Sequence, residues 1–347
     1  MPAPPGAGIF ARMIAHHILT DGKLVAHDGL PQGRALWIDL CSPTADEEHA
    51  VEALIGAPVP TRDEMSDIED SARLYIEGAA LVMTAVVIEG ANKGRPRRSQ
   101  ITFLLMPDRL VTVRHADPLP LGTIATRVAR HPGESDTAPR LLATMLEAFV
   151  ERIADVLEKV SADLADLSDS VFFDADEGSG MAEQDLRKLV RRLGRKNRTL
   201  SILRESILSF DRLIPFLRDA ASGHAARTED EDLPPLAHMS PKGVARLKAI
   251  HRDVTSLSTA LAQVEAELSF LHSATVGLIG VEQNQIIKVL SIATALFLPP
   301  TLVGTIYGMN FDHMPELHWA VGYPLALAAM GISAVLPFLW FRRKNWL

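Results

Sequence analysis

Hydrophobic positions follow three successive patterns along the chain. Before residue 138 they come in short runs: ALWIDL at 35–40, ALVMTAVVIEG at 80–90 and SQITFLLMPDRLVTVRH at 99–115, with Pro107 and Asp108 marking a turn in the last. Short apolar runs bounded by turn residues predict strands. Between the first two, TADEEHAVEALIG has helical spacing, with Thr44 as its cap. A small α/β domain over residues 1–138 is therefore expected. The spacing then lengthens to steps of three and four. Leu142, Leu146, Phe149, Ile153, Val156 and Val160 form one stripe, and Leu186, Leu193, Leu200, Leu203, Ile207 and Phe210 form another. These predict a pair of helices over 139–239, turned by DADEGSG at 174–180 and closed by a polar connector at 222–239.

Ser240-Pro241 starts the third pattern as a cap followed by a first-turn proline. The next proline is Pro299, so residues 242–298 can form one helix of about 85 Å. Along it Leu247, Ile250, Val254, Leu257, Leu261, Val264, Leu268 and Leu271 repeat without a miss, a coiled-coil-like seam. The seam predicts a stalk, 240–307, that continues into an apolar segment. VLSIATALFLPPTLVGTIY at 289–307 and WAVGYPLALAAMGISAVLPFLWF at 319–341 carry no charge and are long enough to cross a bilayer. Tyr307, Trp319, Tyr323, Trp340 and Phe341 stand at their ends as an interfacial belt. Lys288 precedes the first span, and Arg342, Arg343 and Lys344 begin the tail, 342–347, after the second. The loop between, 308–318, has Asp312 and Glu316 and no Lys or Arg, so both termini are expected in the cytoplasm. Pro299-Pro300 can bend the first span, and Gly304-x-x-x-Gly308 permits close helix approach.

Charge narrows the function. A net charge of −8 argues against a nucleic-acid partner. The single cysteine, Cys41, excludes an internal disulfide framework and fits a reducing compartment. Residues 141–177 hold ten acids and two bases, whereas 187–198 hold seven bases and no acid, so the two helices are expected to pair opposite faces. No P-loop, HExxH or CxxC pair is present, GAG at 6–8 is too short for a dinucleotide fingerprint, and His16-His17 reads as a surface pair. No enzyme is indicated.

Gly308-Met309-Asn310 between two C-terminal spans, followed by Met314-Pro315-Glu316-Leu317, resembles the CorA family of divalent-cation transporters. The resemblance continues through VEQNQIIKVLSIATALFLPPTLVGTIYGMN, the terminal FRRKNWL and PTRDEMSDIEDSARLY at 60–75, and so covers essentially the whole chain. It implies an α+β protein with a cytoplasmic α/β domain, a helical stalk and two transmembrane helices, assembled as a funnel-shaped homopentamer in the cell inner membrane. It further implies uptake of Mg²⁺, and of Co²⁺ and Ni²⁺, driven by the electrochemical gradient. Gly308, Met309 and Asn310 would be the selectivity filter, and Asp312 and Glu316 would attract cations outside. Asn284, Ile287, Leu290, Thr294, Leu298 and Thr301 keep three–four spacing and match the family's pore face. Asp67 and Asp253 match the positions where cytoplasmic Mg²⁺ binds between neighbouring subunits as a feedback gate, while Ser66 stands where some relatives have an acid. Arg342, Arg343 and Lys344 would form a basic collar. The expected partners are thus divalent cations, the lipid bilayer and further copies of the chain, with no organic cofactor. The alternatives are the zinc-transporting sister branch and a membrane-tethered coiled-coil scaffold.

Overall fold

The computed structural model describes residues 14–67, 69, 73–131, 133–172, 183–221, 239–309, 314–319 and 321–344, without the side chains of 183–185, 316 and 317. Both the DADEGSG turn and nearly all of the polar connector lie outside these residues, as does GAG.

The chain divides into two compact units. The first comprises residues 1–172 and 191–270, the second residues 173–190 and 271–347. The first unit is built on a seven-stranded sheet of order β2-β1-β3-β7-β6-β5-β4. Its strands are β1 (Ile14–Thr20), β2 (Lys23–Asp28), β3 (Trp37–Cys41), β4 (Leu74–Glu77), β5 (Ala80–Glu89), β6 (Arg97–Leu105) and β7 (Leu110–Arg114). Only β3 and β7 pair in parallel, Ile38 opposite Val111 and Leu40 opposite Val113; all other neighbours are antiparallel. The three apolar runs fall in β3, β5 and β6–β7. The remaining strands, β1, β2 and β4, extend the sheet to its edges at β2 and β4, and the apolar runs did not announce them, because about half their positions are polar or exposed.

Successive strand residues point to opposite faces, and each face is covered differently. Ile38, Leu40, Val82, Leu104, Val111 and Val113 form one core with Val51 and Ile55 of α1 (Ala45–Ile55) and Met65 of α2 (Arg62–Ser66). Thr44 and Thr61 open these helices with reciprocal capping boxes to Glu47 and Glu64, which satisfy otherwise orphaned backbone donors. On the other face Phe103 meets Phe149, which stacks on Phe210. After α3 (Ile124–Arg130), these aromatic residues bring in α4 (Ala138–Phe172) and α5 (Glu183–Ala221). All six residues of each predicted stripe are buried.

Lys196 of α5 is ion-paired with Asp163 of α4. As α4 is followed from Phe149 to Asp163, α5 is met in reverse from Phe210 to Lys196, so the two are antiparallel, with this acid and base facing one another. The Ser206 hydroxyl donates to the Val86 carbonyl and the Val86 amide donates to the Ser209 hydroxyl, tying α5 to β5.

The last long helix, α6, runs Pro241–Tyr307. The Gly243 amide donates to the Ser240 hydroxyl at its start. Seven of the eight seam residues are buried and Leu257 is half-buried, so the seam packs inside a single chain. Arg204 pairs with Glu265, and His251 with Asp211. The helix passes through Pro299 and Pro300 without interruption. A short 3-10 turn (Pro315–His318) and α7 (Gly322–Arg343) follow.

The surface-pair reading of His16-His17 is corrected. His16 is only 8% exposed, with Nδ1 2.7 Å from the Gly29 carbonyl, and His17 stacks on Trp37. The β1 pleat turns one histidine inward, and strand β2 covers it.

Candidate ion-conduction site

Both α6 and α7 contain an 18-residue stretch long and apolar enough to cross a membrane. None of the α6 stretch and 11% of the α7 stretch is buried within the chain. A soluble protein of this size does not leave so much contiguous apolar surface to water.

In α6 a half-buried strip lies beside a broader exposed surface that also includes Val289, Phe297 and Leu302. Asn284, Ile287, Leu290, Thr294, Leu298 and Thr301 are all exposed, the three apolar ones at 60%, 66% and 64%. Lys288, Ile292, Ala295, Leu296, Pro299 and Val303, on the opposite side by helical periodicity, are half-buried. Ala295 lines a recess with Leu336, Pro337 and Trp340 of α7. A β-carbon added to Gly304 would sit 3.8 Å from the Met330 sulfur, an ordinary contact distance. The hydroxyls of Thr294 and Thr301 donate to the Leu290 and Phe297 carbonyls, at 2.9 and 2.7 Å. With their protons turned into the helix, these oxygens present only acceptor lone pairs outward. Thr305, whose hydroxyl donates to Thr301, extends the same face by one step. The sequence stripe stopped short of it, although its four-residue spacing from Thr301 was visible.

The helix ends where the Gly308 amide donates to the Gly304 and Thr305 carbonyls and the Met309 amide to that of Ile306. A β-carbon on Gly308 would lie 3.1 Å from the Gly304 oxygen, so a larger residue forces this tight last turn to shift. Met309 is exposed. The C-terminal pole of a helix favours positive charge, and this pole closes the acceptor-lined face. Asn310 and Asp312 lie outside the described residues, as does the Glu316 side chain. Arg342 and Arg343 occupy the last turn of α7 and Lys344 caps it, where they complement the dipole.

Asp67 ends α2 and Asp253 lies on α6, and both side chains are exposed. No hydrogen bond or ion pair joins them within one chain. Among the described residues, no group of three or more His, Cys, Asp or Glu is arranged to hold a metal. Two carboxylates fit a hydrated Mg²⁺, which keeps most of its waters and takes one or two protein oxygens.

Residues 32–343 match the family model described as CorA-like Mg²⁺ transporter protein. The chain belongs to the CorA family. The magnesium transport protein CorA of Escherichia coli (strain K12) is 32% identical over 328 residues, covering 94% of this chain and 96% of that protein. Among solved structures, the CorA magnesium transporter from Methanocaldococcus jannaschii superposes with a TM-score of 0.69 at 17% identity, covering 98% of this chain and all of the other. The full-length CmaX protein reaches 0.60 at 16% identity, with the same coverage. CorA relatives thus share the α/β domain, the long helix and two candidate membrane helices at the C-terminus. Family membership makes this chain a transporter rather than an enzyme, and its magnesium-transporting relatives give no preference to the zinc branch.

Proposed function

We propose that this CorA-family chain forms a membrane channel through which Mg²⁺ flows down its electrochemical gradient, with Co²⁺ and Ni²⁺ as further substrates. One observation carries the reading. Within the surface of α6 left bare by the chain's own packing, one uncharged face alternates acceptor oxygens with apolar side chains and runs to the Gly308–Met309 turn. A lone helix pair encloses no water-filled path, so copies of the chain assemble as a homopentamer with this face lining the pore.

The chemistry follows from the ion. Mg²⁺ surrenders its waters reluctantly, and those waters point hydrogens outward. Thr294, Thr301 and the Asn284 amide oxygen accept them, while Ile287, Leu290 and Leu298 form constrictions that close by dewetting. Asn310, with Gly308 and Met309, rings the outer mouth as the filter and binds the hydrated ion without the grip of a full carboxylate. Asp312 and Glu316 raise cation concentration there. The protein lies in the inner membrane with both termini cytoplasmic, and Arg342, Arg343 and Lys344 collar the inner mouth.

A divalent ion crossing 100 mV gains about 4.6 kcal/mol, enough for a concentration ratio of about 2000. Such a pore needs a brake. Asp67 of one copy and Asp253 of the next hold cytoplasmic Mg²⁺ in the closed assembly, and binding that state preferentially is what feedback requires.

The test is Mg²⁺ flux into proteoliposomes under an inside-negative potential, comparing the wild type with Asn310→Ala. Flux through the wild type and its loss in the variant are expected. Absence of flux from folded wild-type protein at low internal Mg²⁺ would overturn the proposal.

A further inference from the structure

A cavity of about 740 Å³ opens in the first unit between the β5–β6 loop, α4 and α5. Its volume lies within the range of small-molecule sites. The loop contributes Arg95, the start of β6 contributes Arg97, α4 contributes Arg152 and Lys159, and α5 contributes Arg192, Arg195, Lys196 and Arg198. Against these eight cations the lining has two acids, Asp155 and Asp163. Asp163 is already paired with Lys196. Among the described residues, no hydrogen bond or ion pair holds the other seven cations.

This arrangement is out of character for a chain of net charge −8. Like charges gathered without partners repel one another, though water screens the repulsion because all of the seven but Arg152 are exposed. A bound polyanion would reverse the sign of that energy. Six of the seven unpartnered groups are arginines, whose planar forks match phosphate oxygens in pairs.

We infer that this pocket binds a di- or triphosphate group, carried by a nucleotide or by an inorganic phosphate chain. The inference stands apart from the conduction site and does not depend on the transport reading. The experiment is calorimetric titration of the full-length protein in lipid nanodiscs, in chelator, with sodium tripolyphosphate, ATP and AMP. Tripolyphosphate and ATP should bind, AMP at least about tenfold more weakly, and affinity should fall with added salt. ATP binding well above tripolyphosphate assigns the pocket to a nucleotide; equal binding assigns it to the phosphate chain. Arg192→Ala with Arg195→Ala should weaken both about a hundredfold, roughly tenfold per lost charge-assisted contact. The corresponding double Lys variant should retain binding within a few fold, and Lys242→Ala, outside the pocket, should leave it unchanged. No binding at millimolar ligand, or binding untouched by the double Ala variant, overturns the inference. A disulfide formed between Arg195→Cys and a cysteine placed on the acidic face of α4 in a neighbouring copy would also overturn it, by showing the cavity already filled.

Discussion

Replacing Leu290 with serine separates a pore face from a packing face. Leu290 is 66% exposed in the single chain, so its side chain contributes little to the chain's own core. In the closed channel it would meet its counterparts around the axis. Full burial of a leucine is worth about 1.5–3 kcal/mol. Covering the exposed two-thirds, in a ring that stays partly wet, gives about 1 kcal/mol per copy. Summed around the proposed pentamer, Leu290→Ser removes roughly 5 kcal/mol from the closed state, an open-to-closed shift of about 10³–10⁴. The assay is Mg²⁺ flux into proteoliposomes whose internal Mg²⁺ is high enough to silence the wild type. The variant should conduct under those conditions with an unchanged thermal midpoint and an unchanged assembly. Wild-type silence from an intact variant would refute the dewetting ring, and a lowered midpoint with no flux would identify Leu290 as a packing residue.

Asp253→Asn should leave flux running at internal Mg²⁺ levels that shut the wild type, and Asp67→Asn should do the same; flux assays that still show full inhibition would remove both from the gate. In the first unit, the Asp39 carboxylate accepts from the Thr112 hydroxyl at 2.6 Å and from Arg114 at 2.9 Å, with both charged side chains largely buried. Asp39→Ala strands the guanidinium, which keeps only the Ala116 carbonyl and Asp117. The expected loss is about 3 kcal/mol, the low end for a broken buried pair, read as a lowered thermal midpoint. Burial and then the nearby Arg62 hold the His115 imidazole below its ordinary value of 6.5. The folded state therefore binds this proton less readily than the unfolded chain, so the contribution is complete above 6.5 and is lost as pH falls through that value toward the folded pKa. Thermal midpoints measured from pH 7.5 to 5.5 should fall less steeply for His115→Gln than for the wild type.

Local patterns reveal much of this protein. The capping box of Thr44, the turn at Pro107-Asp108, the stripes of α4 and α5 and the α6 seam are each written within a few residues of one another, because helical and strand periodicities are local properties of the chain. The seam's meaning was less legible. Seven of its eight residues are buried by the chain itself, whereas the same spacing could equally have served a dimeric coiled coil. The short, half-polar strands β1, β2 and β4 lacked a strong alternating signal, and their place was settled by pairing with neighbours. Pro299-Pro300 left α6 continuous.

The sequence by itself determined where apolar segments lie, their charge asymmetry and the GMN–MPEL loop that resembles the CorA family, because hydropathy and motif spacing are fixed by residue order. Tertiary structure decided which face each segment shows. Helical periodicity could group Ile287, Leu290, Thr294, Leu298 and Thr301 on one side of α6, but only the folded chain leaves that side exposed while half-burying Ile292, Leu296 and Val303. Nor could residue order gather Arg95 and Arg97 with Arg152 and Arg195, which are brought together only when α4 and α5 pack beside the β5–β6 loop. Burial and convergence are sums over distant neighbours, and only the folded chain makes those sums.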